Sequence, residues 1–152
     1  MEKSFPGGEE KKQFFRKGGK MNGCRRKILK CSVCGLTVET FGGEVPSTPV
    51  CCGKPMEEMK PKKEEEGKEK HIPFAERTSD GHLLVKVGEK AEHPMTEAHH
   101  IVWIQYCCDG RSGRIWLDPS DKPCATFSIK PEKGMKLMEY CNIHGLWEGE
   151  IK

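Results

Sequence analysis

The sequence predicts an all-β protein, with a small cysteine-rich metal-binding unit followed by an antiparallel β-sandwich. Three observations carry this. No segment of the 152 residues holds apolar side chains at a sustained helical spacing. After His71, short runs rich in β-branched and aromatic residues follow one another, separated by turns such as DGRSG and DPSDKP. Ahead of them, Cys31, Cys34, Cys51 and Cys52 crowd into one stretch among glycines and prolines.

In chain order, residues 1–27 come first, rich in Gly, Lys and Glu, with Phe5, Phe14 and Phe15 as their aromatic groups. Such a stretch cannot bury enough surface to offset its ordering entropy, so a mobile basic extension is expected. Residues 1–30 carry ten Lys/Arg against three Glu, and the remainder sums to −4, so the basic excess behind the net +3 lies in a tail. Without aromatic–basic alternation the tail reads as solvated, and a nucleic-acid partner is not expected. Neither a secretory h-region in the first twenty residues nor an apolar run of membrane length is found, so the expected setting is cytoplasmic, with no membrane partner.

Residues 28–58 form the cysteine unit, where strand-like pieces (ILKC, LTVETF) alternate with Gly35, Gly42, Gly43, Pro46 and Gly53. Residues 59–70, almost wholly charged, read as an exposed connection. Residues 71–152 form the sandwich, with candidate strands at 82–87, 101–107, 114–117, 125–130, 136–140 and 146–151.

Nine cysteines in a chain without an export signal point to metal ligation rather than disulfides. The spacing C-x2-C-x16-C-C places four thiolates where they can surround one ion, and spacing alone leaves iron and zinc open. Adjacent residues on a strand face opposite ways, so the backbone must bend at Cys51-Cys52. A second constellation combines EKH (69–71), HPMTEAHH (93–100) and YCNIH (140–144). Several imidazoles with one thiol fit neither a cysteine hydrolase nor a two-His, one-carboxylate iron site. They suggest an iron centre in which sulfur pushes electron density onto the metal. His82 reads as a surface residue. Cys107, Cys108 and Cys124 read as buried free thiols on strands.

These motifs, C-x-x-C…CC, KEKHIP, HPMxxxH and EYCNxHGxW, resemble the desulfoferrodoxin family, the two-iron superoxide reductases, over residues 28–152. The resemblance implies a desulforedoxin-like first domain holding Fe(Cys)4 through Cys31, Cys34, Cys51 and Cys52. It implies an immunoglobulin-like second domain holding Fe(His)4(Cys) through His71, His93, His99, His144 and the axial thiolate of Cys141. His100 stands where relatives carry an aromatic residue and is not expected to be a ligand. The implied activity is one-electron reduction of superoxide to hydrogen peroxide. Lys70 would draw in the anion, and Glu69 would occupy the sixth position of resting ferric iron. A rubredoxin-like electron donor and a homodimer are the implied partners. The competing reading is a non-catalytic iron electron-transfer protein, with the second site closed by Glu69.

Overall fold

The computed structural model of the chain describes residues 26–41, 47–64 and 71–152. Glu69, Lys70 and all but the last two residues of the basic extension lie outside the described residues. Among the described residues every regular element is a strand, and every strand pairing is antiparallel.

The cysteine unit contains β1 (Ile28–Lys30), β2 (Thr37–Glu39), β3 (Val50–Cys51), β4 (Lys54–Pro55) and β5 (Glu57–Glu58). β1 lies between β2 and β5, while β3 and β4 form a hairpin of their own. The two residues joining that hairpin, Cys52 and Gly53, both have positive φ, 51° and 73°. Positive angles at both central positions match the right-handed twist of a tight two-residue hairpin. This is the bend that adjacent cysteines require: Cys51 ends the strand and Cys52 opens the turn.

The larger body contains β6 (Pro73–Arg77), β7 (Leu83–Val87), β8 (Ile101–Cys108), β9 (Arg111–Trp116), β10 (Cys124–Phe127), β11 (Lys136–Cys141) and β12 (Gly145–Glu150). They form two sheets, ordered β10-β7-β6 and β12-β11-β8-β9. β6 is absent from the strands expected from sequence. PFAER opens with a proline and is half polar, which suits the sheet edge it occupies. In β7 alternation is strict: Leu83, Val85 and Val87 are buried and the residues between them are less so. With Ile101, Ile104, Phe127, Met135 and Leu137 they fill the space between the sheets. Each such side chain contributes about 1.5–3 kcal/mol through burial.

β8 and β11 do not alternate, because they are covered on both faces. Their outer face carries Trp103, Cys107 and Met138, which pack with Ile28 and Leu146 and against Met59. The cysteine unit therefore caps the four-stranded sheet. Arg114 fastens the joint. Its two terminal nitrogens donate to Glu39 at 3.0 and 2.8 Å, and its Nε donates to Gln105 Oε1 at 2.7 Å. Its guanidinium lies 4.2 Å from the centre of the Trp103 ring. Residues 59–64, expected as an exposed connection, run beside β12: Lys62 N donates to Leu146 O, and Glu148 N donates to Lys62 O.

One cysteine departs from expectation. Cys108 and Cys124 are free thiols, but Cys107 is disulfide-bonded. Among the described residues no helix is long and apolar enough to cross a membrane.

Candidate metal centres

The first centre follows from β1 and the β3–β4 hairpin. Cys31 comes directly after β1, and the chain then turns: Gly35 N donates to Cys31 O and Cys31 N donates to Leu36 O. The turn aims the Val33 N–H at Cys31 Sγ, 3.4 Å away. The hairpin brings Cys51 Sγ to 3.6 Å from Cys34 Sγ, and 3.9 Å separates the Cys51 and Cys52 sulfurs. All four sulfurs lie within 4.8 Å of one another. Sulfurs about 2.3 Å from a central ion at tetrahedral angles stand about 3.8 Å apart, so the spacing suits one ion. Electrostatics agree. The Cys34 and Val33 amides pull the Cys31 thiol down to about 6. Cys51 is pushed up to about 12, chiefly by the Cys34 and Cys31 sulfurs crowding it, and Cys52 is raised chiefly by Cys34. Neighbouring thiolates repel one another, and a bound cation would offset that repulsion as the thiols give up their protons.

The second centre is assembled from four separated places. His71 precedes β6, His93 and His99 lie on the β7–β8 connection, Cys141 ends β11, and His144 sits in the β11–β12 turn. The four imidazoles form a near-square. Centroid distances along its sides are 4.7 Å (His71–His93), 4.6 Å (His93–His99), 4.9 Å (His99–His144) and 4.6 Å (His144–His71). The diagonal from His71 to His99 is 6.4 Å. Successive rings stand 70–84° apart, so each presents an edge to the middle. His71 Nε2 is 3.2 Å from His93 Nε2 and 2.9 Å from His144 Nδ1. Nitrogens about 2.1 Å from a central ion in a square stand about 3.0 Å apart, so the spacing suits one ion here too. The Cys141 sulfur is 3.6 Å from His144 Nδ1 and accepts the His144 backbone N–H at 3.4 Å.

Supporting contacts fix the rings. His93 Nδ1–H donates to Pro94 O at 2.7 Å, which leaves the Nε2 lone pair for the centre. The His71 ring stacks on Trp147 at 4.5 Å and 21°, and the Lys62 ammonium lies 5.0 Å from the centre of the indole. Placing His71 depends on Gly149. Any Cβ there would lie 2.1 Å from the carbonyl oxygen of Pro73, so glycine lets the chain leaving His71 pass directly over β12. His100 turns away, its Nδ1–H donating to Thr96 O at 3.1 Å. His82 pairs with Asp80 at a half-exposed site. His71, His93 and Cys141 are buried, whereas His99 and His144 are partly exposed beside the exposed Ile143. The ring of ligands thus has a buried side and a wet side.

A third grouping, Cys108, Asp109 and Glu132, went unnoticed in the sequence because the β8–β9 turn and residue 132 are far apart in the chain. Burial, then Glu132 and Asp109, raise the Cys108 thiol, and Arg111 reaches Glu132 at 3.7 Å, so these groups already balance one another.

The sequence model of the Desulfoferrodoxin family matches residues 63–150. Among curated proteins, a desulfoferrodoxin of Syntrophotalea carbinolica is 44% identical over 124 residues, covering 82% of this chain and 95% of the relative. A desulfoferrodoxin of Nitratidesulfovibrio vulgaris is 45% identical over 127 residues, covering 82% and 95%. A superoxide reductase of Pyrococcus abyssi is 38% identical over 100 residues, covering 55% of this chain and 87% of the relative. Among solved structures, the superoxide reductase of Treponema pallidum superposes with a TM-score of 0.60 at 26% identity, covering 85% of this chain and 98% of that one.

Proposed function

The chain belongs to the desulfoferrodoxin family, and from that premise we propose that it is a two-iron superoxide reductase. The observation that carries this is the square of four imidazole edges with one thiol beside it, a donor set suited to iron with a face left for substrate. His71, His93, His99, His144 and Cys141 would hold this iron. Cys31, Cys34, Cys51 and Cys52 would hold the other. Ferrous iron held by the four histidines and Cys141 would supply the single electron that, with two protons, converts superoxide to hydrogen peroxide.

The chain's own residues account for the rest. The His144 N–H at Cys141 Sγ stabilises that sulfur as a thiolate and moderates how strongly it donates. The wet edge at His99 and His144 lets water deliver protons. Lys70, adjacent to His71 in sequence, supplies a cation in a region whose net charge is otherwise negative. Its pull on an anion acts within about 8 Å at physiological salt. Glu69 beside it would offer its carboxylate to the oxidised iron at rest. A rubredoxin-like donor would supply the electrons, and the protein would work as a homodimer.

Stoichiometry tests the activity. Reduced protein mixed with superoxide should form one peroxide per superoxide consumed, with electrons drawn from the donor. One peroxide per two superoxides, with oxygen released, would identify a dismutase instead. Lys70→Ala should slow superoxide capture about tenfold and flatten its dependence on salt; an unchanged stopped-flow rate removes Lys70 from the mechanism.

A further inference from the structure

Asn142 lies between Cys141 and the exposed Ile143, and its side chain does something the ligand pattern does not require. β11 and β8 pair antiparallel, and their last pair is Cys141 with Ile101, after a register shift at Tyr140. One step further, Asn142 N donates to His100 O at 3.1 Å. The reciprocal bond of a ladder would run from His100 N to the Asn142 carbonyl. Here the chain is already turning toward His144, and the side-chain amide takes over. His100 N donates to Asn142 Oδ1 at 3.0 Å. The other end of the same amide, Nδ2–H, donates to Ala98 O at 3.0 Å. The planar amide therefore grips the two residues on either side of His99.

From these contacts we propose that Asn142 is a positioning residue for the second metal centre, fixing His99 relative to Cys141 and His144. The proposal rests on the assignment of His99, Cys141 and His144 as ligands of one ion. His99 is carried by an outlying stretch of chain. It is itself partly exposed, and Thr96, Glu97 and Ala98 before it are exposed. Its local turn is closed by Thr96, through His99 N to Thr96 O at 3.1 Å and Thr96 N to His99 O at 2.9 Å. That turn shapes the loop but does not tie it to the other ligands. The amide does, because its own backbone continues into the Cys141–His144 turn. The chemistry of the residue is specific. Aspartate keeps an acceptor for the His100 N–H but sets a carboxylate oxygen against the Ala98 carbonyl. Glutamine displaces the amide by one methylene, and alanine removes both bonds.

The test uses the iron-loaded full chain, in which the Fe(Cys)4 centre serves as an internal control. Ferrous iron would be withdrawn by a graded chelator from wild type, Asn142→Ala and Asn142→Asp, and the thiolate-to-iron absorption of the second centre recorded in an oxidised sample of each. Asn142→Ala should lose iron from the second centre about 10–100-fold more readily, the usual effect of removing a group that orients a ligand. Asn142→Asp should fall with Asn142→Ala rather than with wild type, although it is isosteric and retains one bond. In both, the absorption of the second centre should shift while that of the first is unchanged. Wild-type iron retention and an unshifted band in Asn142→Ala would overturn the proposal. So would equal losses from both centres, which would mark a general effect on folding. If Asn142→Ala does not fold, Asn142→Asp alone decides by the same criteria. Failure of wild type itself to bind iron at the second centre would instead refute the ligand assignment.

Discussion

The two metal centres are built in opposite ways. Cys31, Cys34, Cys51 and Cys52 come from one short stretch of chain, in or beside turns that join strands of two or three residues, and Cys34 and Cys52 are exposed. The other five donors span residues 71 to 144 and converge only because two sheets and their connections have already formed. Closing short loops costs little entropy, whereas holding distant ones together requires the sandwich core. The first grouping is thus assembled locally, and its stability should depend on a bound ion. The second is held together by the fold, with His71, His93 and Cys141 buried by protein. A pre-arranged ring with a wet side would suit the substrate-binding centre of the proposed function.

The largest expected effect comes from removing one sulfur from each centre. Cys141→Ser should abolish the thiolate-to-iron band and lower superoxide reduction by more than about 100-fold, beyond the loss caused by disturbing an outer contact. The sandwich should still fold, because its core is apolar and does not need the ion. Cys51→Ser should do the reverse, emptying the first centre and loosening β1 to β5 while the second centre keeps its spectrum. Hydrogen exchange resolved by strand would distinguish the two. If Cys141→Ser unfolded the sandwich, the ring would be a metal-dependent clasp as well, and the contrast would fail.

A smaller effect is expected at Gly149. Its substitution by alanine would drive a Cβ into the Pro73 carbonyl oxygen, so β6 must shift and His71 with it. Overpacking of this kind costs about 1–3 kcal/mol. Thermal unfolding should fall accordingly, and the second centre's spectrum should change before the first's. A stability loss with an unaltered spectrum would mean that Trp147 alone holds the His71 ring.

The two groupings of donor residues were legible in the sequence because few side chains bind metals, and C-x-x-C, HPMxxxH and YCNxH leave few ways to combine them. The bend at Cys51-Cys52 was legible for a local reason, since neighbouring strand residues face apart. What escaped was set by contacts distant in sequence. PFAER does not read as a strand until β7 lies beside it. IVWIQYCC gives no sign that a second body covers its outer face. Cys107 looks like any buried strand thiol, although it is disulfide-bonded. The spacing of EYCNIH shows that Cys141 and His144 act together, but not that the asparagine between them reaches across to both neighbours of His99.

The smallest expected effect concerns the joint between the two regions. Arg114 and Glu39 meet in a two-bond pair across the interface, and their side chains retain only 16% and 19% exposure. Exposed pairs contribute about 1 kcal/mol or less, and breaking a fully buried one costs about 3–5 kcal/mol, so this partly buried pair falls between, near ~2 kcal/mol. Arg114→Met keeps much of the length that lies over Trp103 but leaves the Glu39 carboxylate only the longer contact with Arg26, at 3.7 Å. The loss should appear on one side of the joint. Hydrogen exchange in β1 and β2 should rise while β7 and β10, on the far sheet, remain protected, and the second centre should keep its spectrum. Exchange that rose equally in β7 would show that the cysteine unit and the sandwich unfold as one body. The first centre would then be local in its ligands but not in its stability.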